Sequence, residues 1–320
     1  MIGGGTTPYR VGVSEERRGL LSGFAAYALW GVVPLYFQLL EPASSIEVLA
    51  HRVVWSLLVV LGLLALRSGW GRLRLLLGDR RRMRLLAVAA VVVGINWGVF
   101  IWATTHDHVV DTSLGYFINP LVLIGLGVVL LGERLRRAQW AGLAVALVAV
   151  LVLTVDYGRP PWVALVLAFS FGTYGLMKNL AAVGAVEGLA VETLLLAPLA
   201  LGYLVWLQGS GDGTLFLDPP HALLLAGTGL VTALPLLLFG AAATRVPLST
   251  LGLLQYVAPV MQFLLGVLVF HEQMSTGRWA GFALVWLALV IISTESIVNG
   301  RRVARAARRR PVPPPVENLC

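Results

Sequence analysis

The chain has 320 residues, of which 58% are hydrophobic and only 12% are charged. Soluble domains carry about 25% charged residues, so this composition excludes an ordinary soluble domain. The net charge of +8 does not indicate a nucleic-acid partner, because nearly all arginines lie in short connections and terminal segments, as they do in membrane proteins. The only cysteine is the last residue, Cys320, so an intrachain disulfide and a prenylation box are both excluded.

Ten apolar runs follow one another along the chain, and most are long enough to cross a hydrocarbon core of about 30 Å. They are continuously apolar and do not alternate with period two, which favours helices over a β-barrel. The predicted spans are residues 20–38, 46–66, 85–105, 109–131, 138–155, 161–180, 189–207, 221–241, 246–270 and 277–296. The sequence therefore predicts an all-α polytopic membrane protein with ten transmembrane helices.

The basic residues assign the two sides of the membrane. An even number of spans puts both termini on one side. With that side as the cytoplasm, 21 Lys and Arg residues lie inside and only Arg159 and Arg278 outside, while Arg52 lies within a span. Short cytoplasmic connections carry the excess of basic residues, so both termini are predicted to be cytoplasmic.

Two parts of the chain match at a constant offset of 139 positions. The matched residues are Pro120, Gly127, Glu133, Trp140 and Gly142 in the first copy and Pro259, Gly266, Glu272, Trp279 and Gly281 in the second. Three arginines of the first copy (residues 134, 136 and 137) are neutral in the second, as expected if the two copies lie on opposite sides of the membrane. A weaker match at an offset of 140 pairs Arg52 with Glu192. Five spans per copy indicate two inverted five-helix repeats, a plan found in many secondary transporters.

The predicted organisation therefore has four parts. Residues 1–19 form a disordered cytoplasmic N-terminal tail, and residues 20–155 form the first five-helix repeat. Residues 161–296 form the second, inverted repeat. Residues 297–320 form a basic, Pro-rich cytoplasmic tail, whose Pro-Val-Pro-Pro-Pro segment cannot be helical.

Ionisable residues inside spans are costly, so each is a candidate for function. Glu47 and His51 share one face of the second span, and Arg52 is about 100° around the helix from His51. Arg52 either attracts an anionic or carbonyl-bearing substrate, anchors a structural pair, or extends its charge outward to the interface. Glu47 is either an ion-coupling residue or part of a capping box with Ser44. Glu192 is either an ion-coupling residue or a hydrogen-bonding group within the bundle, and inversion argues against its contact with Arg52.

Polar and aromatic pairs also interrupt three other spans. They are Asn96 and Trp97 in the third span, Tyr116 and Asn119 before Pro120 in the fourth, and Gln255 and Tyr256 before Pro259 in the ninth. Proline removes a backbone donor and frees a carbonyl group, so Pro120 and Pro259 are predicted helix breaks that border a cavity. These residues suit the binding of a small amphipathic molecule. Interhelical hydrogen bonding is the alternative for each of them.

Seven motifs in the chain are similar to those of one transporter family. They are A-Y-x-L-W-G-x-x-P-L-Y-F at 26–37, E-x-L-A-H-R-V-x-W-S at 47–56, N-W-x-x-F-I-W-A at 96–103, S-L-G-Y-F-I-N-P-L-V at 113–122, G-E-R-L-R-R-x-Q-W at 132–140, A-F-S-F-x-x-Y-G-L at 168–176 and A-A-A-T-R-x-x-L-S-T-L-G at 241–252. Together they resemble the RarD group of EamA-type transporters, in the drug/metabolite transporter superfamily. The resemblance covers roughly residues 17–298. It implies a ten-helix permease of the bacterial inner membrane that moves small metabolites or amphipathic drugs, often outward.

These observations together predict a secondary-active permease that works by alternating access between its halves. No P-loop is present, and no hydrolase or metalloprotease motif indicates an enzyme. No cofactor and no metal site are expected. The expected partners are a small-molecule substrate and the lipid bilayer, with protons as coupling ions and a homodimer left open. A membrane sensor or assembly protein that does not transport is the alternative.

Overall fold

The structure is a computed structural model, which describes residues 13–67, 69–131, 135–243, 245–246 and 248–308. Over these residues the chain forms α-helices joined by short connections. The helices are α1 (Val13–Gln38), α2 (Ser45–Leu66), α3 (Trp70–Gly78), α4 (Arg80–Thr104), α5 (Val109–Leu131), α6 (Arg137–Tyr157), α7 (Trp162–Ala181), α8 (Ala185–Ser210), α9 (Pro219–Ala243), α10 (Leu248–Leu254), α11 (Val257–Leu268) and α12 (Thr276–Arg308).

Nine helices of the described part of the chain are long and apolar enough to cross a membrane. The ninth predicted span is made instead by two successive helices, α10 and the apolar α11. The prediction of an all-α polytopic membrane protein is therefore confirmed.

The structure adds helix at three polar margins of the predicted spans. Helix α1 begins at Val13, so the end of the predicted disordered tail is helical. The basic connection after the second span contains α3, and α12 continues to Arg308, well beyond the predicted end at residue 296. A span predicted from hydropathy ends at the first charged residues. The helix itself can continue through them, because Arg and Ala both favour helix. The Pro-rich terminus and the turn residues Glu133 and Arg134 lie outside the described residues.

Local sequence explains several helix ends. The Ser44 hydroxyl accepts the backbone N–H of Glu47 at 3.2 Å, and the Asp79 carboxylate accepts the backbone N–H groups of Arg81 and Arg82 at 3.0 Å. These are N-caps, which satisfy donors that have no partner within the helix. Gly158 ends α6 with φ +65°, a left-handed conformation that glycine adopts without strain.

The two halves pack mainly against each other, in a pattern that repeats when the halves are exchanged. With α1, α2, α4, α5 and α6 equivalent to α7, α8, α9, α10–α11 and α12, the contact of α1 with α9 corresponds to that of α7 with α4. Likewise, α5 packs on α7 as α11 packs on α1, and α2 packs on α9 as α8 packs on α4. Three equivalent pairs contact directly: α2 with α8, α5 with α11 and α6 with α12. The core therefore lies between the halves.

Side-chain contacts join the helix ends into two groups. The first end of the bundle, where α1 begins, has the ion pairs Glu15–Arg245 at 3.1 Å, Arg72–Glu187 at 2.9 Å and Arg136–Glu295 at 2.5 Å. The second end has the contacts Glu47–Thr214, Glu272–Val110 and Asp156–Ser275. Successive long helices run in opposite directions between these ends. Thus α1 begins at the first end and its equivalent α7 at the second, as an inverted repeat requires.

The two predicted helix breaks have different outcomes. Helix α5 continues through Pro120, so the predicted break is wrong there. In the second half the helix is interrupted at Gln255 and Tyr256, and Pro259 follows in the first turn of α11. Proline is tolerated in a first turn because no intrahelical donor is lost there.

Candidate functional site

Arg52 is buried at the centre of the bundle, where α1, α2, α4, α5 and α9 meet. Its Nε donates to Thr232 Oγ1 on α9 at 2.9 Å. Its guanidinium lies over the ring of Trp97 on α4 at 4.2 Å and near the ring of Phe37 on α1 at 5.7 Å. The charge therefore stays within the bundle, and the alternative in which it extends to the interface is wrong.

The guanidinium of Arg52 is held without a carboxylate. Among the residues that the structure describes, no acidic oxygen lies within 4.0 Å of it, and its hydrogen bond to Thr232 uses Nε alone. Both Nη groups therefore have donors to offer. A buried charge normally has a charged partner, so this arrangement distinguishes Arg52 from a structural ion pair.

A hydrogen-bonded group on α4, α5 and α7 lies beside Arg52. The Asn96 Nδ2 donates to the Leu167 carbonyl at 3.1 Å and to Ser170 Oγ at 3.0 Å, while Asn96 Oδ1 accepts from Tyr116 OH at 3.2 Å. Asn96 is thus largely satisfied within the protein, as the interhelical alternative predicts. Tyr116 packs on Phe100, which contacts Phe37 beside the Arg52 guanidinium.

Four buried polar atoms near this region have no hydrogen-bond partner. They are His51 Nε2, Trp55 Nε1, Ser56 Oγ and Asn119 Oδ1. Three of them belong to α2, and Ser56 is one turn from Arg52 on the same face. Unsatisfied buried polar atoms cost free energy, so each of them is a position where a ligand or water can bind.

Aromatic rings surround the polar atoms. Tyr116 packs against Phe100 and Phe171, with ring centroids 5.8 Å apart in each case. Phe37 in turn contacts Phe100 at 6.1 Å. Together with Trp97, these rings form an apolar wall next to a cation, which is the combination that amphipathic ligands require.

Glu47 is used differently from the prediction of a reciprocal capping box. Ser44 does cap α2, but the Glu47 carboxylate accepts the backbone N–H of Thr214 at 2.7 Å and the Thr214 hydroxyl at 3.1 Å. Thr214 also contacts His221 Nε2 at 2.8 Å. Glu47 therefore fixes the α8–α9 connection at the second end, and its ion-coupling role stays a prediction.

Glu192 is fully buried and forms an ion pair with Lys178 on the first-end side of the bundle. Lys178 Nζ lies 2.8 Å from its Oε1, and Tyr174 OH donates to its Oε2 at 3.2 Å. Arg52 and Glu192, equivalent in the repeat, thus have separate partners, as inversion predicts. The Lys178 side chain therefore points into the bundle, towards α8.

Gln255, Tyr256 and Pro259 lie apart from the Arg52 group. Tyr256 stacks on Phe117 at a centroid distance of 6.4 Å, and the Pro259 carbonyl accepts from Ser113 Oγ at 2.8 Å. Within the described residues, no hydrogen bond or ring contact joins them to Arg52 or Asn96. Among the predicted binding residues, Arg52 contacts Trp97 and Asn96 bonds Tyr116, whereas Gln255 and Tyr256 lie at the α10–α11 interruption. His51 and Asn119 each have a buried polar atom without a hydrogen-bond partner. The binding role of each of these residues stays a prediction.

The structure also reveals polar partners that the sequence did not indicate. Thr232, Thr214 and His221 belong to this set, and so does Gln262, which bonds Trp30 and Thr112 across the halves. A single Thr in an apolar helix carries no distinguishing signal. Lys178 did have a recognisable sequence signal, since a lysine within a predicted span needs an acidic partner.

A second polar cluster joins the halves at the second end. The Glu272 carboxylate accepts the backbone N–H groups of Val109 at 2.5 Å and Val110 at 3.1 Å, at the start of α5. Burial raises the pKa of Glu272 to about 7. Asp111 lies 3.1 Å from His108 Nδ1 and raises the pKa of that imidazole. No group of three potential metal ligands occurs among the described residues.

These features define a polytopic, repeat-built membrane protein with a buried cation in its core. The EamA-like transporter family model matches residues 17–155 and again residues 160–294. The chain therefore belongs to the EamA-like transporter family, a family of membrane transporters.

Curated relatives cover most of the chain. Protein RarD of Streptomyces exfoliatus is 59% identical over 291 residues, which span 90% of this chain and 92% of that protein. Protein RarD of Escherichia coli K12 is 42% identical, with 91% and 99% of the two chains covered. A Pseudomonas aeruginosa protein named "Chloramphenicol-sensitive protein RarD" is 35% identical, with 90% and 97% covered.

A crystal structure of another protein has the same fold. It superposes with a TM-score of 0.56, covers 85% of this chain and 96% of its own, and shares 20% sequence identity. Identity at this level supports the helical architecture alone.

Proposed function

We propose that the protein is a secondary-active permease of the bacterial inner membrane, which moves a small metabolite or amphipathic drug outward by alternating access. The observation that carries the proposal is Arg52, a buried cation whose Nη donors have no partner in the described part of the chain. A charge held this way between helices of both halves is costly unless a passing solute uses it.

The repeat architecture supports alternating access. The helix contacts between the halves stay the same when the two halves are exchanged. Such a fold can therefore adopt two conformations of similar energy that are open to opposite sides of the membrane. Polar contacts that close the second end join the first half to the second, as in the pair formed by Glu272 and the start of α5. Opening of that end requires these contacts to separate.

The orientation follows from the positive-inside rule. The first end has most of the basic residues, including those of α3 and the start of α4, and it becomes the cytoplasmic end in the proposal. Both termini then lie in the cytoplasm. The outer end is the one with Glu47 and Glu272.

Protons are the proposed coupling ions. Glu192 and Glu47 are both buried, with 0% and 2% of their surfaces exposed, and either can carry a proton across part of the bundle if its partners separate. Lys178 faces Glu192 and would have to move when Glu192 is protonated, which ties ion binding to helix movement. Glu47 would release Thr214 in the same way.

Transport by the purified protein in liposomes tests the proposal. Amphipathic metabolites and phenicol drugs, the latter suggested by the name of the Pseudomonas relative, are screened with and without a pH gradient. We expect saturable flux that the gradient increases. Flux that is unchanged when every ion gradient is dissipated excludes coupling, and the absence of flux for every solute favours a sensor or assembly protein instead.

Three variants test the site. Arg52→Ala, and Tyr116→Phe combined with Asn119→Ala, are expected to reduce transport at least tenfold without preventing membrane insertion. Gln255→Ala is the comparison, because Gln255 lies at the α10–α11 interruption, apart from Arg52. Wild-type flux in all the Arg52, Tyr116 and Asn119 variants removes the site assignment.

A further inference from the structure

We propose that the Arg52 site takes a solute with an anionic head group, a carboxylate or a similar oxyanion, on an apolar and preferably aromatic body. The inference rests on the proposed transport function and names the chemical class of its solute.

The charge balance of the site requires an anion. The carboxylates that could approach Arg52 from its own half or the other are occupied elsewhere: Glu47 by Thr214 and Glu192 by Lys178. Arg52 is 8% exposed, and its guanidinium donates to one hydroxyl and lies over or near two aromatic rings, all of which are neutral. A positive charge in this setting lowers the cost of binding an anion and repels a cation.

The free donors suit an oxyanion in geometry. The Nε of Arg52 donates to Thr232, and this bond orients the planar guanidinium. Its Nη1 and Nη2 are left to bind two oxygens of one oxyanion. Arginine forms such paired bonds with carboxylate and phosphate oxygens. Ser56 Oγ, one turn away on α2, is buried without a partner and can donate to the same head group.

The surroundings of the site suit an aromatic or apolar body. Trp97 and Phe37 flank the guanidinium, and Tyr116 continues the aromatic wall towards Phe171 on α7. Beyond Tyr116 the unpartnered Asn119 Oδ1 is an acceptor, and so it favours a solute with a hydroxyl, amide or amine hydrogen on its body. Asn119 faces Gly172 of α7, where a side chain would meet its Oδ1 at 3.4 Å.

Matched sets of probes test the class. Indole-3-acetate, indole-3-acetamide and tryptamine have one ring and differ in head-group charge, as do benzoate, benzamide and benzylamine. Their binding to the purified full-length protein is measured by tryptophan fluorescence and by the shift in melting temperature, and their flux is measured in liposomes. We expect both carboxylates to bind and to raise the melting temperature, and the amides and amines to bind at least tenfold more weakly.

Variants assign the binding to the guanidinium. Arg52→Met keeps an apolar side chain and removes the charge, and we expect it to abolish the preference for the carboxylate. Arg74→Met, on the exposed face of α3, is the matched control and should bind as the wild type does. Because Arg52 has no carboxylate partner, Arg52→Met should also leave the melting temperature without ligand equal to or higher than that of the wild type.

The outcomes separate the two proposals. Equal or stronger binding of the neutral or cationic probes overturns the anion inference, as does an unchanged preference in Arg52→Met or the failure of every carboxylate to bind. Flux of a neutral solute with no effect of carboxylates leaves the transport function standing and the anion inference refuted. Carboxylate binding without flux of any solute supports the anion inference and refutes the transport function.

Discussion

Lys178 reaches Glu192 across the contact between α7 and α8, and their charged atoms lie 2.8 Å apart in the core. The side chain of Glu192 is 0% exposed and that of Lys178 is 18% exposed. In the first half, the position equivalent to Glu192 is Arg52, which has no such partner among the described residues. One repeat thus has a closed ion pair and the other an open cation, so the symmetry of the fold does not extend to its charges.

Removal of Lys178 should be more harmful than removal of both charges. Lys178→Met leaves the Glu192 carboxylate buried and unpaired, a change that costs about 3–5 kcal/mol. The double variant Lys178→Met with Glu192→Gln removes the charge as well, and it should recover most of the lost stability. Melting temperatures of the wild type, the single variants Lys178→Met and Glu192→Gln, and the double variant, measured in one detergent, give the coupling between the two charges. A double variant that is no more stable than Lys178→Met contradicts the ion-pair interpretation.

Gly188 makes room for the Lys178 side chain on the surface of α8. A Cβ at this position would overlap Lys178 Nζ, so Gly188→Ala should displace the ammonium from Glu192. The end of a flexible side chain can move, and we expect a smaller loss than for Lys178→Met. Gly202→Ala is the control, because nothing lies within 4 Å of a Cβ at that position of α8. Equal melting temperatures for the two alanine variants would show that the space at Gly188 is not required.

Gly229 allows α9 to approach the backbone of α2 next to the Arg52 site. A Cβ there would lie 2.6 Å from the carbonyl carbon and oxygen of Trp55, which cannot move aside without shifting α2. Thr232, the partner of Arg52, is one turn away. Gly229→Ala should therefore lower both stability and solute affinity, whereas Gly240→Ala on the same helix should change neither, since its Cβ meets nothing within 4 Å. Small residues at such contacts are common in membrane helices.

The sequence predicted the helices and the buried charges, but it did not predict their partners. Apolar runs locate spans because a lipid-exposed backbone must be helical, and this argument is independent of neighbours. The partner of Arg52 depends on which turn of α9 faces α2, and Thr232 looks like any other residue of an apolar helix. Pro120 and Pro259 show the same limit. Both follow polar pairs, yet α5 continues through Pro120 and only the second half is interrupted, so the sequence pattern does not separate a proline tolerated within a membrane helix from one at a helix start.

Glu272 should make the stability of the protein depend on pH. Its carboxylate is partly buried between the start of α5 and the α11–α12 connection, and the loss of solvation raises its pKa from 4.5 to about 7. Below pH 4.5 the folded and unfolded chains both hold the proton. Between pH 4.5 and 7 only the folded chain retains it, so stability falls as pH rises, by on the order of 3 kcal/mol. The raised pKa of His108, stabilised as a cation by Asp111, acts in the same direction, because that contribution is lost as pH rises through the raised pKa.

Melting temperatures of the purified protein between pH 4.5 and 8 measure this dependence. We expect Glu272→Gln to flatten the curve, since the amide oxygen can still accept a backbone N–H from Val109 or Val110 while no proton is exchanged. His108→Gln should remove a smaller part of the slope. Glu41→Gln, an exposed residue of the α1–α2 connection, is the control and should leave the curve unchanged. A wild-type slope in Glu272→Gln would mean that the pH dependence arises elsewhere and that Glu272 is ionised in the folded protein throughout this range.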